Sequence, residues 1–222
     1  MLRIFKQNIK SGYKERLTKA FPKKLHSDLK TVLKIIPFDN NKVKLFDGAI
    51  HQVDNLIHEN ELNLILDNET LTIPYRLYFD EPNPELEKSL TDKQKDILNC
   101  IYLRHHNGHL REKRLNLLSD NSEKWVIPFI IQLIGEYIYD LLPIIDKKVN
   151  EKTLPFYAEF SVENPKYWQQ TESRMISYWN EYYRLQFPEL KEYLGFKIVK
   201  RIKNERTTMA KINTGFGVQP KV

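Results

Sequence analysis

Cysteine is nearly absent from this chain of 222 residues: Cys100 stands alone. A disulfide within the chain is therefore excluded, and nothing points to an oxidising compartment. Glycine is scarce, at 7 residues, which favours helices over a loop-rich or glycine-hinged scaffold. No apolar run reaches the ~18 residues that a membrane span needs. The nearest, Trp125 to Leu142, is interrupted by Gln132, Glu136 and Asp140. The opening Met1-Leu2-Arg3-Ile4-Phe5-Lys6 lacks the apolar stretch of about 7–15 residues that marks a secretory signal. A cytoplasmic location is the expectation. The GxSxG, GxGxxG, P-loop, HExxH and CxxC patterns are also missing. Each would have brought a nucleophile, a phosphate cradle or a metal with it.

A core is present. Hydrophobic residues make up 41% and Phe, Trp and Tyr 12%, more aromatics than a disordered chain carries. A chain of this length suits one domain, with or without a small appendage, and buries about 70% of the surface its unfolded form exposes. The net charge of +6 is unevenly spread. Residues 1–34 hold ten Lys or Arg against Glu15 and Asp28, and residues 197–211 hold six against Glu205. An acidic body thus lies between two basic ends.

Periodicity divides the chain. Leu2, Phe5, Ile9, Tyr13 and Leu17 recur at helical spacing beside a basic stripe of Arg3, Lys6, Lys10 and Lys14. This predicts a basic amphipathic helix with Gly12 as its weak point, ended by Pro22. A short helix is expected over 25–36. Leu62, Leu64 and Leu66 then alternate, as do Leu71, Ile73, Tyr75, Leu77 and Phe79, around the polar turn Asp67-Asn68-Glu69-Thr70. That is a β-hairpin, with a third strand expected near 43–53 and Pro74 at an edge or a bulge.

Glu81-Pro82-Asn83-Pro84 is expected to be a stiff linker, so the division anticipated is 1–81, linker 82–90, helical domain 91–203 and flexible tail 204–222. Thr91 with Gln94 forms a capping box, followed by the apolar face Ile97, Leu98, Ile101 and Tyr102. Gly108 is expected to cap that helix at its C-terminus. A short helix over 110–118 follows. The next helix, capped by Asn121 or Ser122, tolerates Pro128 in its first turn, is apolar almost all round and so central, and is kinked or ended by Pro143. Asn164-Pro165 starts a helix bearing Trp168, Met175, Tyr178, Trp179, Tyr182 and Leu185. Pro188 starts the last one, on Leu190, Leu194, Ile198 and Ile202, with a loose chain after Asn204. The fold class expected is mainly α (α+β), with a small N-terminal β-hairpin or meander.

The stretch Asn107-Gly108-His109-Leu110-Arg111-Glu112 with Leu115 and Leu118, then Trp125, Pro128, Phe129, Leu133, Tyr137 and Leu141, resembles one HEAT-like helical pair within about 105–149. The resemblance covers about a fifth of the chain, in a single copy. It implies helix-pair packing and a binding surface, and no chemistry.

Candidate site residues each have two readings. Cys100, His105 and His109, with His106, could hold a metal, since thiolate and imidazole suit zinc. Their spacing suits better a polar helix end, because Asn107-Gly108 breaks the helix that would align them, and no cofactor is expected. Glu136 and Asp140, with Gln132 four positions earlier, could be catalytic carboxylates if burial raised one pKa. As a bland alternative they form a solvated stripe, or ion pairs with Arg104, Arg111 or Arg114. Those three arginines are candidate binding residues, as are Lys197, Lys200, Arg201 and Lys203, which with Arg206 and Lys211 could track phosphates or form a solvated helix face. Tyr178, Trp179, Tyr182 and Tyr183 could stack bases or grip a peptide, but at helical spacing they read as core. The function expected is a non-enzymatic protein-interaction module, toxin-neutralising or scaffolding, with another protein as partner. The basic ends speak against a nuclease as that partner, because like charges repel. Nucleic-acid binding through the basic ends is the alternative, and an enzyme built on Glu136 and Asp140 comes third.

Overall fold

The computed structural model describes residues 2–39, 42–44, 50–119 and 123–215, with side chains at 10–39, 43, 50–119 and 123–212. The side chains of Leu2, Arg3, Phe5, Lys6 and Ile9, the caps Asn121 and Ser122, and residues 216–222 lie outside that description. The fold is mainly helical with a small antiparallel β part. The chain forms two compact units, Met1–Asn121 and Ser122–Val222. No described helix is long and apolar enough to cross a membrane.

The first unit carries α1 (Leu2–Thr18), α2 (His26–Ile35), two hairpins and α3 (Pro84–Lys88), α4 (Asp92–Tyr102) and α5 (Gly108–Leu117). Tyr13 and Leu17 bury the C-terminal end of α1. Helix α2 turns Leu29, Val32 and Leu33 inward and packs on α4, whose Ile97, Leu98, Ile101 and Tyr102 are buried as the apolar spacing requires. Each such side chain contributes roughly 1.5–3 kcal/mol by leaving water. The capping box at Thr91 is fully made: the Gln94 backbone N–H donates to Thr91 Oγ1 at 3.3 Å, and the Thr91 N–H donates to Gln94 Oε1 at 3.2 Å.

The longer hairpin pairs β3 (Glu61–Leu66) with β4 (Glu69–Pro74) through a two-residue loop. Asp67 and Asn68 both have positive φ, 51° and 64°, as a type I′ turn demands and as these residue types tolerate. Leu64 faces Leu71 across the ladder, and both are buried with Leu66 and Ile73. Pro74 sits at the strand's end, where no ladder bond is lost. The expected third strand is a separate hairpin of β1 (Lys42–Lys44) and β2 (Ile50–Gln52). The first unit runs straight through residues 82–90. Asn83 caps α3 by accepting from the Glu85 N–H at 2.9 Å, so the stiff segment is itself a helical turn, and the division between units falls near 121 instead.

The second unit holds α6 (Ile127–Ile134), α7 (Leu141–Lys148), α8 (Leu154–Glu163), α9 (Pro165–Tyr178) and α10 (Leu194–Gly215). Every residue of α6 is buried, as a helix apolar on every side but Gln132 requires. The single helix expected across this region is two. Gly135 ends α6, and Pro143 lies inside the first turn of α7, where a proline is tolerated, so it neither kinks nor ends a helix there. Gly135 is also where α9 passes closest: a Cβ there would lie 2.9 Å from the Thr171 carbonyl oxygen. Beyond α9 the backbone continues as a π-helical turn over Trp179–Tyr183. Helix α10 packs on α8 through Ile198, Val199 and Ile202, and it continues past Asn204 to Gly215. Thr207 and Thr208 each donate to the carbonyl four residues back, and no proline or glycine intervenes.

Candidate functional site

The segment after α4 is held by its neighbours on both sides. The Leu77 N–H donates to the Arg104 carbonyl at 3.0 Å and the His106 N–H to the Leu77 carbonyl at 2.9 Å, a short β-bridge that pins the strand following β4 against the end of the helix. Asn107 then opens α5 with its side chain accepting from the His109 and Leu110 N–H groups. Gly108 is therefore the first residue of α5 and not the C-cap of α4, which is already closed at Leu103.

This arrangement decides the fate of His105. The Asn107 N–H can only donate, so Nδ1 of His105 accepts it at 3.1 Å; the Phe79 carbonyl can only accept, so Nε2 carries the proton and donates to it at 3.0 Å. Both ring nitrogens are engaged and no lone pair is left for a metal. Burial, then the neighbouring His106 ring and the Arg111 charge, holds the His105 pKa down at about 3. His106 is lowered too, by burial and then by Arg111 and Arg76. Cys100 is wholly buried on α4 and His109 is exposed on α5, so the structure places the three metal candidates in three different environments. Among the described residues no group of three His, Cys, Asp or Glu is placed to hold a metal ion.

Arg104, Arg111 and Arg114 are each only 1% exposed. Expected at a binding surface, they face inward. Arg104 donates to the Tyr75 carbonyl at 3.0 Å, and Arg111 donates to the carbonyls of His105 and His106 at 2.6 and 3.0 Å. Arg114 lies over the Tyr102 ring, 4.9 Å from its centre. Its fork engages Glu87 through two bonds of 2.6 and 3.0 Å and Glu81 through one of 2.6 Å. Burial pushes the Glu81 carboxyl up, but hydrogen bonding to Lys113 and the Arg114 charge outweigh it, and Glu81 ends below the usual carboxylate range. The same two carboxylates raise Arg114 against the effect of its burial.

In the second unit the two carboxylate candidates part company. Glu136 is buried just beyond α6, with the Arg174 guanidinium 4.0 Å away. Asp140 is exposed immediately before α7. The break at Gly135 removes the continuous helix that would have aligned them, and burial of Gln132 and Glu136 rules out a solvated stripe.

The basic residues of α10 lie on its outer face. Lys197 and Lys200 are exposed, Arg201 is paired with Asp146 at 2.6 Å, and Lys203 is paired with Glu172. Two of the six residues expected to track phosphates thus have a carboxylate of the chain's own.

The strongest surface feature falls on residues whose spacing reads as core. The rings of Tyr137, Tyr178 and Tyr182 touch one another, with centres 6.0–6.3 Å apart. Tyr137 is 48% and Tyr182 60% exposed, and Leu185, three residues on, is 100% exposed. Beneath them Tyr183 holds the π turn against the loop between α6 and α7: its hydroxyl donates to the Tyr137 carbonyl at 2.5 Å and accepts from the Tyr139 N–H at 3.1 Å. Tyr183 also stacks on buried Tyr193. Trp179 Nε1 donates to the Phe187 carbonyl at 2.9 Å, closing the turn. The result is a tyrosine ridge on a rigid base. Helical spacing misplaces it because the π turn adds a residue and rotates the later side chains towards solvent. No known protein family, characterised protein or solved structure matches this chain.

Proposed function

We propose that the chain is a non-enzymatic protein-interaction module that engages another protein through a helical surface, with the tyrosine ridge of the second unit at its centre. The observation that carries this reading is the exposure of Tyr137 and Tyr182 in a mutually packed ring cluster beside a fully exposed Leu185. Tyrosine offers a large, stiff contact area with a polar tip, and it is enriched among residues that dominate binding energy. Contiguous exposed apolar surface in a folded protein is characteristic of interaction sites. Anchoring by Tyr183 and Trp179 adds pre-organisation, so little ordering entropy would be lost on docking. A scaffolding or toxin-neutralising role is a specific form of this reading.

Nucleic-acid binding through α10 is the second reading, carried by the exposed Lys197 and Lys200, with Arg201 and Lys203 paired to Asp146 and Glu172. A photo-crosslinking amino acid placed at Tyr182, and separately at Lys200, tests both in native cells. The expected result is a discrete protein adduct from position 182 that survives nuclease and disappears when Tyr137 and Leu185 are replaced by serine. No adduct from 182, with a nuclease-sensitive adduct from 200, would reverse the order of the two readings.

A further inference from the structure

The first unit contains a cavity of about 400 Å³ between the 81–88 segment and helices α4 and α5. That volume lies within the range of small-molecule sites. Pro82 and Pro84 supply apolar lining, and four cationic side chains line it against two carboxylates. The carboxylates, Glu81 and Glu87, are already committed to Arg114. The remaining cations come from three separate elements: Lys88 from α3, Lys95 from α4 and Lys113 from α5. A solvated face of a single helix would not bring three ammonium groups from three elements around one apolar lining.

We propose that this cavity binds a small polyanion, a pyrophosphate-like or polycarboxylate group whose carbon body rests on Pro82 and Pro84. Lys88 and Lys95 pair with Glu85 and Asp92, at 2.7 and 3.4 Å, and those carboxylates are 75% and 93% exposed. Such exposed pairs, three residues apart on a helix, are weak and exchange readily with solvent. Lys113 is itself half exposed and donates to Glu81. An arriving anion therefore gains Lys88 and Lys95 by displacing exposed pairs, and Lys113 by drawing it from the Glu81 carboxylate, which keeps its bond from Arg114. The four cationic side chains of the lining outnumber its two carboxylates, and that excess of positive charge favours a compact anion over a cation.

The test uses the full chain, calorimetric titration at fixed ionic strength, and pyrophosphate and citrate as probes. Lys88→Gln and Lys95→Gln should each weaken saturable binding by roughly 1.5- to fivefold, the effect of losing one exposed charge contact. Lys30→Gln and Lys34→Gln, exposed lysines of α2 away from the cavity, should leave it unchanged. Neither Glu87 nor Arg114 is altered, so the fold is retained, and circular dichroism verifies it. Absence of saturable binding of both probes overturns the proposal, as does equal weakening by the α2 substitutions. Tighter binding of a DNA oligonucleotide, lost on the same Lys88 and Lys95 substitutions, overturns it in favour of a nucleic-acid backbone.

Discussion

His105 makes the stability of the first unit depend on pH in a calculable way. Its ring is neutral, with Nδ1 accepting from the Asn107 N–H and Nε2 donating to the Phe79 carbonyl. Protonation would cost the Asn107 bond and place a charge in a buried site beside His106 and Arg111. The folded pKa is about 3 against 6.5 for an unperturbed histidine. Because the folded value is the lower one, the unfolded chain takes up the proton first. The histidine's contribution is therefore complete above about pH 6.5 and is lost as pH falls from there towards 3. Between pH 7 and pH 5 the loss amounts to about 2 kcal/mol, near 1.4 kcal/mol for each pH unit below the unfolded pKa. The perturbation is His105→Gln, whose amide can still donate to Phe79 and accept from Asn107 but does not titrate. Urea unfolding of both proteins at pH 7 and pH 5 measures the difference. The wild type is expected to lose about 2 kcal/mol more than the variant over that interval. Equal losses would refute the reasoning, since the folded histidine would then be binding protons like an exposed one.

Two further outcomes rest on packing. Gly135→Ala places a methyl group 2.9 Å from the Thr171 carbonyl oxygen, backbone that cannot swing aside, so a loss of about 1–3 kcal/mol is expected by thermal or urea unfolding; an unchanged midpoint would show that α9 gives way freely. Arg114→Ala leaves Glu87 without its guanidinium and Glu81 with Lys113 alone, and should cost about 2 kcal/mol after discounting for the partial exposure of the carboxylates, partly recovered in Arg114→Ala/Glu87→Gln, whereas failure of the second change to recover stability would assign the loss to packing on Tyr102.

What the sequence made legible was local. The Thr91–Gln94 box, the Asp67-Asn68 turn and the Asn164-Pro165 start are signals contained within a few residues, and each element lies where its signal put it. What escaped depends on partners far along the chain. Nothing near Arg114 announces that Glu81 and Glu87, about thirty residues earlier, will draw it inside. The need for glycine at position 135 comes from how closely Thr171 passes, and helix α8 (Leu154–Glu163) carries no strong periodic stripe of its own. The tyrosines read as core only if 3.6-residue spacing is carried through Trp179–Tyr183, where the backbone does not keep it.

That π turn also bears on how such a surface can arise. A regular helix advances about 100° per residue, so one additional residue, absorbed locally as a wide turn, redirects every side chain beyond it. Removing a single residue from Trp179–Tyr183 would restore ordinary helical bonding and swing Tyr183 away from the carbonyl of Tyr137 that now receives its hydroxyl. The ridge and its anchor are thus linked to one codon's worth of chain length, and descendants that lost it would keep the buried core of the second unit while losing the exposed face.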